Sequence, residues 1–253
     1  MKVSIISAIL NSPEIARRQL LHYQKLNLPD DVEVIFVDDG SDPPLNFNRE
    51  DYNFNFSLYA TGDTRDWTQP AARNFGARKA IGEYCIFTDI DHIISREVVE
   101  VARNATAHVI RFKREVGVLD VKGDFTQDRD VLLSWGLLKK HKVRIGPHGN
   151  SYIFKRQLYL DLDGVDEKYV GTGKYPNREE VPLKQKLKRL IKRNAIEIID
   201  DDTKPTIYMM PNGRYCGHKD YNPFGLFHNL SRERNIGRLT NKQKHALRRP
   251  EIL

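Results

Sequence analysis

Two aspartates separated by one residue, Asp89 and Asp91, form a pair that is well suited to binding a metal ion. They follow the apolar segment 83–88, which predicts a buried strand. In an extended chain, residues two apart point to the same side, so both carboxylates face one ligand while Ile90 turns into the core. Paired carboxylates suit a hard divalent cation, and the sequence therefore predicts a site for Mn²⁺ or Mg²⁺.

A second triplet of the same kind, Asp161-Leu162-Asp163, shows that this spacing alone is a weak indicator. It lies just before Gly164 in a segment typical of a turn, and no apolar strand leads into it. Position after a strand therefore favours Asp89 and Asp91 as the metal ligands.

Two further groups of polar residues can reach a ligand. The segment Asp38-Asp39-Gly40-Ser41 follows the apolar run 32–37. Carboxylates there can accept hydrogen bonds from a base or a ribose hydroxyl, although Asp and Gly are equally typical of a plain turn. Arg73 lies in the first turns of a helix predicted over residues 69–81 and can reach beyond the strand ends. A surface helix with spare cations is the alternative interpretation of that segment.

The elements that position these residues alternate between strand and helix over residues 1–105. Strands are predicted at 2–8, 32–37, 56–60 and 83–88, and helices at 13–26, 69–81 and 95–104, with Ser12 as the first N-cap. This order predicts an α/β fold with a mostly parallel, doubly wound sheet. Ligands bind beyond the carboxyl ends of the strands in such sheets, where both acidic clusters fall.

The second half of the chain is less regular. Strands are predicted within 109–121 and 150–154, and helices at 156–162 and 182–193. Pro182 and the leucines that follow it give the last helix one apolar face and one lysine-rich face. We therefore expect one domain over residues 1–214, with halves 1–105 and 106–214, followed by a basic C-terminal extension over 215–253.

Composition limits the class of protein. The chain has 253 residues, 40% hydrophobic and 30% charged, which is typical of a globular protein. Its two cysteines exclude a disulfide scaffold and a four-cysteine zinc module. No apolar run is long enough for a transmembrane helix and no signal peptide is recognisable, so the cytoplasm is the expected compartment.

The positive charge is confined to one end of the sequence. The net charge is +7, but residues 183–253 carry 16 Lys and Arg against 7 Asp and Glu, a balance of +9. Such a segment suits a phosphate-bearing partner, either nucleic acid, an anionic membrane surface or a nucleotide; a solvated surface is the plain alternative.

Taken together, these segments resemble the family-2 glycosyltransferases of the A-type nucleotide-sugar fold. The matching segments are Val3–Ser7, Val37–Ser41, Ala72–Gly76, Gly82–Tyr84 and Phe87–Asp91. The resemblance is specific over residues 1–105, looser over 145–193 and absent beyond about 215. It implies a Rossmann-like nucleotide-binding half over 1–105 and an acceptor-binding half over 106–214.

The resemblance also implies an activity and a set of roles. It implies an inverting, divalent-metal-dependent glycosyltransferase of class EC 2.4 that uses a nucleotide-diphosphate sugar, with UDP as the expected nucleotide. Ser7, Asp38 and Asp39 would hold the nucleotide, with Arg73 near the donor diphosphate. Asp91 would bind the metal directly, Asp89 would hold the ribose or the metal through water, and His218 would be a third metal ligand.

A later acidic pair, Glu179 and Glu180, resembles the family's catalytic acids before a helix. One of them would act as the general base on the acceptor hydroxyl. The family usually has Glu-Asp where this chain has Glu-Glu, so the choice between them stays open, with Glu180 preferred. Acids that complement a helix N-terminus are the plain alternative.

The acceptor is open at this stage. A surface glycan, a polysaccharide or a lipid-linked acceptor is the usual case, with the basic region resting on an anionic membrane. The alternative is transfer to nucleic acid, such as a hydroxylated base in DNA, with residues 215–253 holding the phosphates. A nucleotidyltransferase would need a glycine-rich basic loop after the first strand, which residues 8–12 are not. A non-catalytic binding module is the remaining class.

Overall fold

The computed structural model describes residues 1–65, 68–138, 151–170, 180–200, 205–211 and 224. The side chains of residues 169, 180 and 200 are outside this description. The strands are β1 Val3–Ile9, β2 Val32–Asp38, β3 Asn55–Ala60, β4 Tyr84–Asp89, β5 His92–Ile93, β6 Val109–Arg111, β7 Arg114–Val116, β8 Val118–Leu119, β9 Phe125–Thr126, β10 Tyr152–Lys155, β11 Ile198–Asp200 and β12 Ile207–Met209. The helices are α1 Pro13–Leu26, α2 Gln69–Lys79, α3 Arg96–Arg103, α4 Arg129–Ser134, α5 Arg156–Asp161 and α6 Glu180–Lys192.

A mixed sheet of seven strands forms the centre of the described structure, in the order β11-β6-β10-β4-β1-β2-β3. β1 runs parallel to both β2 and β4, and β2 runs parallel to β3. Parallel pairing needs a crossover connection, such as α1 between β1 and β2. β10 runs antiparallel to both β4 and β6, and β11 runs parallel to β6. The predicted α/β sheet is therefore confirmed, with β10 as its one reversed strand in the described order.

Each face of the sheet carries its own apolar core, as a doubly wound fold requires. On one face, α1 and α3 contribute buried residues that include Ile15, Leu20 and Val98. On the other face, α2, α5 and α6 contribute Ala72, Ala77, Tyr159 and Leu183. Strand residues are buried on both sides, which is why the sequence shows continuous apolar runs there.

Two glycines let α2, and the turn that follows it, lie close to β1. A Cβ on Gly76 would lie 2.6 Å from Cγ2 of Ile6, so α2 packs directly on the sheet. A Cβ on Gly82 would lie 2.7 Å from the backbone nitrogen of Ser4. The Ser4 hydroxyl meanwhile accepts a hydrogen bond from the Gly82 N–H at 2.9 Å. These two glycines therefore bring the helix and the turn after it close to the sheet.

A second, three-stranded sheet joins distant parts of the chain in the order β5-β12-β7. β12 is antiparallel to β5, with Met209 opposite His92, and parallel to β7. Phe224, from the region predicted as a basic extension, is 2% exposed and belongs to the core on the α1 side. Its ring lies 5.3 Å from the guanidinium carbon of the buried Arg18.

Most element boundaries agree with the sequence-based prediction to within two residues. One correction concerns Ser12, whose side chain does not cap α1. Its hydroxyl donates instead to the carbonyl of Leu10 at 2.8 Å, and Pro13 occupies the first helical turn as expected. Among the described residues, no helix has the length and apolarity that crossing a membrane requires.

Replacing Gly76 with alanine tests the close packing of α2. Alanine favours a helix by about 1 kcal/mol over glycine, so an unobstructed site would gain stability. We expect Gly76→Ala to lower the free energy of unfolding by about 1–3 kcal/mol instead, because the new methyl group meets Ile6. Urea denaturation measures this. The control Arg78→Ala, at a side chain that is 57% exposed, should change the free energy of unfolding by less than about 0.5 kcal/mol. A Gly76→Ala protein that is more stable than wild type would contradict the close packing of α2.

Candidate metal and nucleotide site

The polar residues singled out in the sequence meet at the carboxyl ends of three adjacent strands. β1 is the middle strand, and its last two residues pair with Asp38 of β2 and Asp89 of β4. Ser7 lies one residue earlier on β1, between Phe36 and Thr88, and is buried. The parallel register therefore brings both acidic clusters to one edge of the sheet.

Asp89, Asp91 and His92 form a compact group in which one ligand atom of each residue lies within 4.8 Å of the others. Ile90, between the two acids, is 7% exposed and belongs to the core. The alternation predicted for this triplet is therefore present. Its two carboxylates share one partly exposed surface.

Asp89 is held by two residues one helical turn apart on α2. The buried guanidinium of Arg73 donates from Nη2 to Oδ1 of Asp89. The side-chain amide of Gln69 donates to the same oxygen at 3.2 Å. Oδ2 of Asp89 lies 3.9 Å from Nδ1 of His92. The helix predicted to carry Arg73 thus presents it to the acidic pair, and Arg73 partly neutralises the charge there.

His92 is fixed by a hydrogen bond at each ring nitrogen. Nε2 lies 3.0 Å from Nη1 of Arg114, and Nδ1 lies 2.7 Å from the hydroxyl of Ser151. A guanidinium only donates, so Nε2 accepts, and the proton of the neutral ring is on Nδ1. His92 therefore orients the site and is not a ready metal ligand in this arrangement.

The backbone around Asp91 is bonded on both sides. The side-chain amide of Gln19 donates to the carbonyls of Ile90 and His92, at 2.9 and 2.8 Å. The carbonyl of Asp91 accepts from the Met210 N–H at 2.8 Å. These contacts hold the turn between β4 and β5, so the two carboxylates do not depend on an exposed loop for their position.

Burial, together with the nearby negative charge of Asp89, raises the pKa of Asp91 to about 7. The guanidinium groups of Arg114 and Arg73 act in the opposite direction. A proton or a cation is therefore favoured between the two carboxylates. A divalent cation suits this donor set, because both acids offer hard oxygen ligands and their mutual repulsion falls when it binds.

The loop after β2 uses the carboxylate of Asp38 as its internal support. Its two oxygens accept from the N–H groups of Ser41 and Leu45, each at 2.8 Å. The next residue, Asp39, is 1% exposed, and its N–H donates to the Ile9 carbonyl at 2.7 Å. Asp38 therefore shapes the loop, while nucleotide binding by Asp38, Asp39 and Ser7 stays a prediction.

Asn74, next to Arg73 on α2, ties the two halves of the chain together. Its side chain donates to the Val165 carbonyl and to Glu167, both at 2.8 Å, and accepts from the Tyr159 hydroxyl and the Val165 N–H. Gly164 has φ +60, and a Cβ there would lie 2.2 Å from the Asn74 side chain. An open cavity of about 610 Å³ lies beside this loop, bordered by Pro182 and Lys186 of α6.

The remaining predicted residues are less fully described. Glu179 and His218 lie outside the described residues. Glu180 is the first residue of α6, and its side chain is not described. Their roles therefore remain predictions.

The site includes residues that the sequence-based prediction did not name, among them Gln69, Arg114 and Ser151. Gln69 could have been predicted from the sequence, because it precedes Arg73 by four residues on one helix and therefore lies on the same face. Arg114 and Ser151 follow from strand pairing between distant segments, since β7 and β10 bring them to His92. No local signal marks either of them.

The pKa of Asp91 predicts a pH-dependent difference between the wild-type protein and Asp91→Asn. Folding raises this pKa above its value in the unfolded chain, so the wild-type protein loses stability as pH rises from about 4 to about 7. Asparagine has no proton to lose. In chelator, we therefore expect the melting temperature of Asp91→Asn relative to wild type to increase between pH 5 and pH 8. A difference that is constant with pH would contradict this ionisation.

Comparison with known proteins is consistent with this geometry. The family model described as Glycosyl transferase family 2 matches residues 4–108, which include β1, β4 and the acidic triplet. This match confirms, over those residues, the resemblance seen in the sequence. No curated protein sequence matches the chain.

Two solved structures share the fold. S. aureus TarS 1-349 in complex with UDP-GlcNAc is 19% identical, with a TM-score of 0.53 over 86% of this chain and 61% of that chain. Mannosyltransferase PcManGT from Pyrobaculum calidifontis, in complex with GDP-Man and Mn²⁺, is 15% identical, with a TM-score of 0.54 over 100% and 66%. The chain thus spans less than two thirds of either length. Over residues 4–108 it matches family-2 glycosyltransferases, and its fold is the A-type glycosyltransferase fold.

Proposed function

We propose that this protein transfers a sugar from a nucleotide-diphosphate donor to an acceptor hydroxyl, with a divalent cation at Asp89 and Asp91. The observation that carries the proposal is the meeting of this pair with Arg73, Asp39 and Ser7 at one sheet edge. UDP is the expected nucleotide, and TarS with UDP-GlcNAc and PcManGT with GDP-Man and Mn²⁺ share the fold. We place the reaction in the cytoplasm, in the synthesis of a surface glycan or polysaccharide.

The site residues would bind the donor through a metal ion and through hydrogen bonds. A bound Mn²⁺ or Mg²⁺ would stabilise the charge that develops on the departing diphosphate. Asp89 and Asp91 would hold that cation, and Arg73 and Gln69 keep Asp89 in place. Asp39 would accept hydrogen bonds from the nucleotide, at the end of a strand where α/β sheets bind such ligands.

The acceptor would enter from the side of α6. In this proposal Glu180, or its neighbour Glu179, takes the proton of the acceptor hydroxyl, and the oxygen attacks the anomeric carbon opposite the diphosphate. That attack would invert the anomeric configuration. The cavity beside Gly164 and Pro182 supports the proposal, because it lies next to the first turn of α6 and is open to solvent.

The alternative acceptor, a hydroxylated base in DNA, was predicted from the basic segment 215–253. Of that segment the structure describes Phe224 alone, and Phe224 packs in the core. The described residues therefore give this alternative no specific support.

Replacing Asp91 tests the donor and metal site. We expect the wild-type protein to release nucleoside diphosphate from one member of a panel of UDP-, GDP-, CDP- and dTDP-sugars, with Mn²⁺ and not with chelator. Asp91→Asn should lower this rate by about a hundredfold or more, because one charged metal ligand is lost. The matched control is Asp163→Asn, in the other Asp-x-Asp triplet, where the side chain is 90% exposed and should be dispensable.

Equal losses in Asp91→Asn and Asp163→Asn would contradict a metal site at Asp91. Release that is unaffected by chelator would show that the reaction does not need a divalent cation, although the protein would still be a transferase. Absence of release from every donor, together with absence of Mn²⁺-dependent nucleotide binding, would overturn the transferase itself.

Single substitutions of the acidic pair identify the base. Glu180→Gln should reduce kcat by about 10²–10⁴-fold with little change in donor KM, since a general base contributes at this level. Glu179→Gln should reduce kcat by less than about tenfold, because one base is sufficient for this step. Steady-state kinetics with saturating acceptor measures both. The reverse order would assign the base to Glu179, and two active variants would exclude the pair.

A further inference from the structure

Helix α6 presents a strongly basic surface to solvent. Its exposed cations are Lys184, Lys188, Arg189 and Lys192, and Arg193 follows directly after its end. We call these five residues the basic face. Lys186 differs from them, because it turns inward and donates to the Leu162 carbonyl at 2.6 Å. Leu183, on the inner side of α6, is 3% exposed, so the helix is packed on the domain through the side opposite the basic face.

The spacing within the basic face is unfavourable for an isolated helix. Lys184, Lys188 and Lys192 follow one another at four-residue intervals, and Arg189 and Arg193 do the same. Like charges four apart on a helix repel each other. The sequence of α6 contains one acid, Glu180 at its first residue, so no acidic residue alternates with these cations along the helix.

The helix dipole explains only part of this arrangement. Cations near a helix C-terminus are stabilised, which accounts for Arg189 and Lys192 in the last turns. Lys184 lies near the N-terminus, where the dipole disfavours positive charge, and Lys188 lies in the middle of the helix. Stability of the helix alone therefore does not account for the basic face.

Apolar side chains lie among these cations. Ile191 is 42% exposed and Val181 is 43% exposed, and both are large hydrophobic residues on the outer side of α6. Helical geometry places Val181 on the same side as Lys184 and Lys188, which follow it by three and seven residues. A cationic helix surface with exposed aliphatic residues is typical of a helix that lies in a membrane interface.

We propose that α6 docks this protein on a membrane that carries anionic phospholipid head groups, through the basic face together with Ile191 and Val181. Lysine and arginine attract the negative surface, and the two aliphatic side chains enter the head-group region. This docking does not require the proposed transferase activity. If that activity is also correct, the first turn of α6, which carries Glu180, lies close to the bilayer and to a lipid-linked acceptor.

A bilayer fits this surface better than nucleic acid does. Binding to phosphates alone requires cations, and exposed aliphatic residues add nothing to it. Insertion of Ile191 and Val181 gains free energy only where a hydrocarbon region lies beneath the charges. The contribution of Ile191 therefore separates the two partners.

The test is sedimentation of the 253-residue chain with sucrose-loaded vesicles at about 0.1 M salt. One set of vesicles is phosphatidylcholine alone, and the other contains about 30 mol % phosphatidylglycerol. The triple variant Lys184→Gln/Lys188→Gln/Lys192→Gln removes three charges from the basic face. The matched control Arg17→Gln/Arg49→Gln/Lys122→Gln removes three exposed charges from other surfaces. Ile191→Ser removes one apolar side chain and no charge.

We expect the wild-type protein to bind the anionic vesicles and not the neutral ones. The α6 triple variant should lose about a hundredfold in partition coefficient, since each lysine near such a surface is worth about fivefold. The control triple variant should lose less than about threefold, and Ile191→Ser should lose about tenfold. Circular dichroism melts confirm that each variant is folded. If a variant is not folded, the decrease in wild-type binding to anionic vesicles with increasing salt tests the charge-based contact instead.

Three results would overturn the proposal. Equal binding to neutral and anionic vesicles, or no binding to either, removes the charge-based contact. Equal losses in the α6 and control variants show that net charge acts without a docking surface. Binding to duplex DNA that requires the three lysines and is unchanged in Ile191→Ser assigns the basic face to nucleic acid. None of these readouts depends on sugar transfer, so the docking and the enzyme activity are tested separately.

Discussion

Repulsion between two carboxylates at the end of a buried strand is the constraint around which this structure is organised. Asp89 and Asp91 lie side by side, and Asp89 adds to the upward shift in the pKa of Asp91. Arg73 from α2 and Arg114 from β7 bring positive charge to them from two directions. Burial keeps the two negative charges costly in spite of these cations, so a proton or a cation bound between the carboxylates would lower that cost.

Close packing of α2 on the sheet makes this compensation possible. Gly76 lets the helix approach Ile6, and the same helix then delivers Gln69 and Arg73 to Asp89. Asn74, on the neighbouring face of the helix, makes four hydrogen bonds to Tyr159, Val165 and Glu167 in the second half of the chain. One helix therefore sets the position of both the acidic pair and the loop beside the cavity.

The first hundred residues could be predicted well because each of their signals is local. Apolar runs predicted β1, β2 and β4, and the residues that follow each run predicted the polar edge of the sheet. The hydrogen bonds to His92 could not be predicted in this way, since Arg114 and Ser151 reach it through pairing of strands far apart in sequence. Ser12 shows a different failure: a local capping signal was present, but its hydroxyl donates to the Leu10 carbonyl and accepts no hydrogen bond from the N–H groups of α1.

β12 is synthesised long after β5, the strand with which it pairs. Residues 207–210 are needed to satisfy the Asp91 carbonyl and to place Met209 opposite His92. During translation, the acids of β4 leave the ribosome more than a hundred residues before these partners. The central sheet can therefore form on a nascent chain while its acidic edge is still incomplete. Completion of this acidic edge is thereby coupled to synthesis of residues 207–210.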